Sequence, residues 1–206
     1  GGYPPRCAIG FTSVLVLILL ARLHLAPDLD ISGWGPWLQA RGNALGPEIP
    51  VRENPAKRLA ERLRGCILLI YGSQGRLGAV ARRWAGQFAE NGKQFAHFSL
   101  IPEMNHNEVV GWKHPEKPLS RLAAVFLRDR EEHPEISKRF QLTADLVRER
   151  AGHCEDIWSK GSSWPERLWS LVLLGDFTSV YTGIQNCEDP TPVEVIEELK
   201  RRLKEE

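Results

Sequence analysis

The sequence predicts an α/β fold, a layered domain with a mostly parallel sheet flanked by helices and preceded by a helical segment. Two runs, Cys66–Tyr71 and Leu122–Leu127, are apolar at every position, the mark of strands covered on both faces. Each is followed by apolar residues at helical spacing: Leu77, Val80, Ala81, Trp84 and Phe88 after the first, Ile136, Phe140 and Val147 after the second. Strands that alternate with helices need crossover connections, and those make parallel sheets.

The elements follow in order. Residues 1–27 pass through Gly1, Gly2, Pro4 and Pro5, then run apolar from Cys7 to Leu20 before Arg22 and His24. That uncharged run is shorter than the roughly 20 residues a membrane-spanning helix needs, and no small-residue cleavage pattern follows it. It reads as a core helix packed between layers. Residues 28–52 mix Gly33, Gly35, Pro36, Gly42, Gly46, Pro47 and Pro50 with Trp34 and Trp37, a connector with at most one short helix. Asn54-Pro55 is an N-cap followed by proline at the first helical position, and Gly65 stops that helix.

After the strand at Cys66–Tyr71 the helix through Trp84 ends at Asn91-Gly92. Phe95–Ile101 is predicted as a second strand, Asn105–Trp112 as a short helix, Leu122–Leu127 as a third strand and 134–150 as a helix. Cys154–Trp158 is a fourth, less apolar strand suited to a sheet edge. From Trp164 to Gln185 a helix is apolar on nearly all sides and must be covered widely. Thr191-Pro192-Val193-Glu194 has the pattern of a capping box opening a last helix through Ile196, Leu199 and Leu203.

Charge and cysteine usage exclude several functions. Lys plus Arg number 27 against 26 Asp plus Glu, a net charge of +1, so no broad field attracts nucleic acid or anionic membrane. Cysteines 7, 66, 154 and 187 show neither zinc nor redox spacing, which predicts free thiols and a cytoplasmic setting. The six histidines form no HxxxH or HxH pair, so no metal and no cofactor is expected.

The chemistry concentrates between Trp84 and Trp112. Glu90 ends one helical pattern, and His106 follows a strand sixteen residues later. One carboxylate can move a proton between adjacent carbons, a histidine can exchange protons near neutral pH to open a sugar ring, and an arginine such as Arg6 can steady a developing oxyanion. Each residue also fits a plainer role. Glu90 before Asn-Gly suits a solvated helix end, His106 between Asn105 and Asn107 a hydrogen-bonded helix start, and Thr191 an N-cap. Gly72-Ser73-Gln74-Gly75 suits a phosphate cradle or a tight strand-to-helix turn equally.

Four motifs, GGYPPR, YGSQGRLGAVARRWAGQFAENGK, PEMNHNEVVGW and DPTPVEVIEELKRRL, occur in this order and span the chain. Together they make it resemble the C-terminal part of the bifunctional phosphoglucose/phosphomannose isomerases, a branch of the sugar isomerase (SIS) domain proteins. The resemblance implies that residues 1–52 are the tail of a first SIS domain and residues 53–206 a second. It implies an aldose-ketose isomerase that works on sugar 6-phosphates through an enediolate, with Glu90 as base, His106 opening the ring, Lys200 catalytic, and Arg6 and Thr191 binding substrate. It also implies a homodimer whose shared sites each take His106 from the partner.

The family's usual ENAK reads Glu90-Asn91-Gly92-Lys93 here, which changes backbone freedom beside the base and leaves the base intact. The loops that hold the sugar phosphate lie in the family's first domain, so this chain alone is expected to turn over poorly. The alternative from another class is a non-catalytic sugar-phosphate-binding or dimerising SIS module. Glu90 and His106 together favour the enzyme, since a sensor needs neither.

Overall fold

The computed structural model describes residues 4–27 and 30–205, so the first three residues of the GGYPPR motif lie outside the described residues. The chain forms two compact units, Gly1–Ala40 and Arg41–Glu206.

The first unit opens with a 3-10 turn, Pro5–Cys7, and helix α1, Ile9–Arg22. The expected core helix is corrected here, because α1 buries none of its residues and Phe11 and Leu15 are about two-thirds exposed. Apolar composition dictates that such a helix favours cover without dictating what supplies it. The connector holds one helix, α2, Trp34–Leu45.

The second unit begins with α3, Pro55–Leu63, where the Asn54 side chain accepts from the amides of Ala56 and Lys57. The same side chain donates to the carbonyls of Leu45 and Gly46, so the cap also anchors the incoming chain. Then come β1 (Ile67–Ser73), α4 (Gly78–Glu90), β2 (Ala96–Ile101), a 3-10 turn (Glu103–His106), α5 (Glu108–Gly111) and α6 (Glu116–Leu119). β3 (Leu122–Arg128), α7 (Pro134–Arg148), β4 (His153–Trp158), α8 (Trp164–Gln185) and α9 (Glu194–Arg202) complete it.

The four strands form one parallel sheet in the order β2-β1-β3-β4, with Ile70 paired to both Phe98 and Val125. β1 crosses outward through α4 to β2, and β3 crosses the other way through α7 to β4. Right-handed crossovers that travel in opposite directions put their helices on opposite faces. On the α4 face Gly72 allows close approach, since a Cβ there would lie 2.7 Å from the Leu77 carbonyl. On the α7 face Tyr71, Phe126, Phe140, Ala144 and Val147 form a buried cluster.

A second layer covers α4. Trp84 is fully buried, its indole N–H donates to the Leu171 carbonyl at 2.9 Å, and Gly175 of α8 lies against its ring. Arg83 forks onto Asp176 at 3.0 and 2.7 Å, and Gln87 donates to the same carboxylate. Burial pushes the Asp176 carboxyl above its ordinary value, while Arg83 and Gln87 pull it back.

Two local expectations are corrected. The helix expected at Asn105–Trp112 is divided at Asn107, whose backbone (φ −144°, ψ −67°) is not helical and whose side chain caps the Glu108 amide. His106 therefore ends a turn instead of opening a helix. The capping box expected at Thr191–Glu194 does not form, because α9 starts at Glu194 with Val193 as its N-cap. The Thr191 amide is instead taken by Asp189 Oδ1 at 2.8 Å. A reciprocal capping box does form at the head of α8, between Ser163 and Glu166.

Candidate active site

Glu90 is the last residue of α4, and the way that helix returns decides where it lies. α4 leaves the carboxyl end of β1 and runs back to the amino edge of the sheet. The turn after it is fixed there by Gln94, whose side-chain amide donates to the carbonyls of Leu63 and Cys66 at the entry to β1. Asn91 donates to Ser179 Oγ at 2.9 Å, and Asn186 donates to the Gly92 carbonyl at 2.9 Å. The end of α8 thus docks on the end of α4.

Beyond α8 the chain folds back beside Glu90. A cleft of about 580 Å³ lies between Glu90 and Lys93 on one side and the stretch from Glu188 to Ile196 on the other. Its walls combine carboxylates (Glu90, Asp189, Glu194) with apolar groups (Ala89, Val193, Ile196). The Thr191 backbone and side chain hydrogen bond to Asp189 and hold its carboxyl below the usual aspartate range. Exposed Lys200 follows lining residue Ile196 by one turn of α9, which places both on one stripe of that helix.

His106 lies at the opposite edge. It ends the 3-10 turn after β2 and is exposed, while its neighbours are pinned: Met104 is buried, Asn105 donates to Thr143 Oγ1 at 2.7 Å, and Tyr71 donates to Glu108 at 2.6 Å. Burial first, and then the Glu108 charge, push the Tyr71 phenol far above its ordinary value, so it stays a donor. Within one chain, Glu90 precedes the amino end of β2 and His106 follows its carboxyl end, and the six residues of that strand extend about 16 Å. Arg6 belongs to the first unit, on the 3-10 turn Pro5–Cys7.

The structure thus brings Glu90 together with the loop that carries Thr191 and with the first turn of α9, and it sets His106 apart. Open parallel sheets commonly take ligands at the carboxyl ends of their strands. At β3 that end is filled by the protein's own charges, with Arg167 on Asp129 at 3.1 Å and Arg128 on Glu132 and Asp156. Lys93 had no role in the sequence reading. The signal for it was there, a lysine just past a helix C-terminus, where a cation meets unpaired carbonyls.

Residues 52–203 match the family described as bacterial phospho-glucose isomerase C-terminal SIS domain. The chain belongs to that family. This SIS-domain chain is 37% identical over 206 residues to the bifunctional phosphoglucose/phosphomannose isomerase of Caldicellulosiruptor bescii, covering 99% of this chain and 61% of the relative. It is 31% identical to the enzyme of the same name from Aquifex aeolicus, covering 98% of this chain and 59% of the relative. The chain therefore spans about three-fifths of the length of these curated relatives.

Among solved structures, a glucose-6-phosphate isomerase like protein from Thermus thermophilus aligns with a TM-score of 0.64 at 24% identity, over 77% of this chain and 52% of that one. The tagatose-6-phosphate ketose/aldose isomerase of Escherichia coli aligns at 0.56 and 17% identity, over 86% of this chain and 50% of that one. These two likenesses speak to the SIS fold. Among the described residues no group of three His, Cys, Asp or Glu is placed to hold a metal, and no helix is long and apolar enough to cross a membrane.

Proposed function

We propose that this SIS domain supplies the base of an isomerase that converts glucose 6-phosphate or mannose 6-phosphate to fructose 6-phosphate, with Glu90 as that base. The observation that carries the reading is the Glu90 cleft, in which a carboxylate at a helix end faces the stretch carrying Thr191. In an aldose-ketose isomerisation the base takes the proton from C2, the electron pair forms the C1–C2 enediolate, and the same carboxylate returns the proton to C1. O1 gains a proton and O2 loses one, so nothing is consumed. Thr191 would hold sugar hydroxyls, and Lys200, one turn beyond Ile196, would stand at the mouth as a cation for the enediolate oxygen.

His106 would open the sugar ring in a second copy of the chain. Its separation from Glu90 along β2 supports that arrangement, because a two-fold axis crossing the strand at right angles reverses it. The carboxyl end of one β2 then faces the amino end of the other. The partner of this domain in catalysis would be a first SIS domain that anchors the phosphate and so positions the reacting carbons.

The test is Glu90→Gln in the enzyme completed by its first domain. The amide keeps the shape and cannot accept the proton. Turnover is expected to fall by roughly a hundredfold to ten-thousandfold with sugar-phosphate binding retained. A variant that keeps more than about a tenth of its turnover would exclude Glu90 as the base and favour the non-catalytic binding module.

A further inference from the structure

We infer that Lys93 is a positioning residue for this cleft: its ammonium ties the stretch that carries Thr191 to the end of the helix that carries Glu90. The functional meaning rests on the reading above, while the geometry and its test do not.

The ammonium has three donors and meets three carbonyls, Glu90 O at 2.5 Å, Pro192 O at 2.6 Å and Pro190 O at 3.4 Å. Two of these flank Thr191. Pro190 and Pro192 lack an N–H, so each can be held by hydrogen bonds only through its carbonyl, and a cation with several donors is the group suited to that. The site also favours positive charge, since it caps the carbonyl end of the 13-residue helix α4.

The backbone supports the same conclusion. Lys93 has φ +49°, a left-handed conformation that is unfavourable for a residue with a Cβ. The turn through Gly92 and Lys93 leads the chain off the end of α4, while the lysine side chain reaches back to the Glu90 carbonyl. Besides Gln94, which fixes the turn to the entry of β1, tethers come from α8 and its cap: Asn186 on the Gly92 carbonyl, and Gly183, where a Cβ would lie 2.3 Å from the Asn91 carbonyl. On the far side of the cleft the Glu188 amide donates to the Gly183 carbonyl at 2.9 Å, so α8 holds the start of the wall. Lys93 holds it further on, at Pro190 and Pro192.

The test is amide hydrogen exchange on the 206-residue chain, read at the hydrogen-bonded amides of Thr191, Ile196 and Glu197. In Lys93→Ala these amides are expected to exchange about tenfold faster or more, with β1 and α4 unchanged, since a local opening has lost its latch. Propylammonium, which has about the size of the deleted side chain, is expected to restore protection saturably where sodium at equal ionic strength does not. Unchanged exchange in Lys93→Ala would overturn the inference, and so would acceleration spread through β1 and α4. Local acceleration that propylammonium does not reverse would also overturn it, because the loss would then belong to the aliphatic stem. Failure of the isomerase reading shows elsewhere, in Glu90→Gln turnover, and leaves these exchange rates as they are.

Discussion

At the scale of single residues, the positions that matter most here are those with no room to change. Gly175 faces the fully buried Trp84 so closely that a Cβ would lie 2.3 Å from its indole nitrogen and 2.4 Å from the adjoining ring carbon. The ring cannot retreat freely, because its N–H is bonded to the Leu171 carbonyl. Gly175→Ala is therefore expected to lower stability by roughly 1–3 kcal/mol through overpacking, more than the helix propensity that alanine adds. Urea unfolding checks this, and a midpoint at or above that of the parent chain would refute it. The consequence reaches the site, since α8 is the support on which the end of α4, and with it Glu90, rests.

At the scale of elements, the stretch from Glu188 to Ile196 behaves as a wall held by polar contacts. α9 beyond it buries no residue, and Val195 and Leu199 are exposed, so packing contributes little to its place. One of its holds is ionic, the Asp189 carboxylate that accepts from Thr191. That carboxyl sits below its ordinary value of 3.8 because the folded state favours the charged form. A depressed folded-state pKa means stabilisation that is present above the unfolded value and lost as pH falls through the folded one. The Thr191 amide resonance, followed by NMR against pH, is thus expected to be flat near neutral pH and to move in acid with a midpoint below the ordinary aspartate value. A midpoint at or above the ordinary aspartate value would show that the turn does not hold the charge.

At the scale of the whole molecule, a sheet with its candidate groups at opposite edges invites assembly. Mixing subunits of the completed enzyme tests it, one carrying Glu90→Gln and the other His106→Ala. Random exchange makes half the dimers mixed, and with the histidine acting in trans half of their sites are intact. About a quarter of parental activity is then expected to return. With the histidine acting in cis every site keeps one lesion, so exchanged samples no more active than either parent would exclude the shared site.

Much of the fold was legible in the chain alone, because strands covered on both faces and helices with one apolar stripe write their periods locally. The apolar runs at β1 and β3, the Asn54 cap and both ends of α8 stood in the sequence, as did the edge position of β4. The capping pattern at Thr191 failed because a cap is a competition, and Asp189 wins the Thr191 amide once the chain turns beside α4. Asn107 breaks the helix predicted around His106 for a similar reason: the turn is held by Thr143 and Tyr71, which belong to other elements. Glu90 and His106 sit sixteen residues apart in the chain, yet only the returning path of α4 decides that they lie at opposite edges of the sheet. The cleft itself is tertiary, since Lys93 meets the Pro192 carbonyl across 99 residues of chain. Patterns of a few residues determine elements, whereas a site built from contacts that distant is decided by how the elements pack.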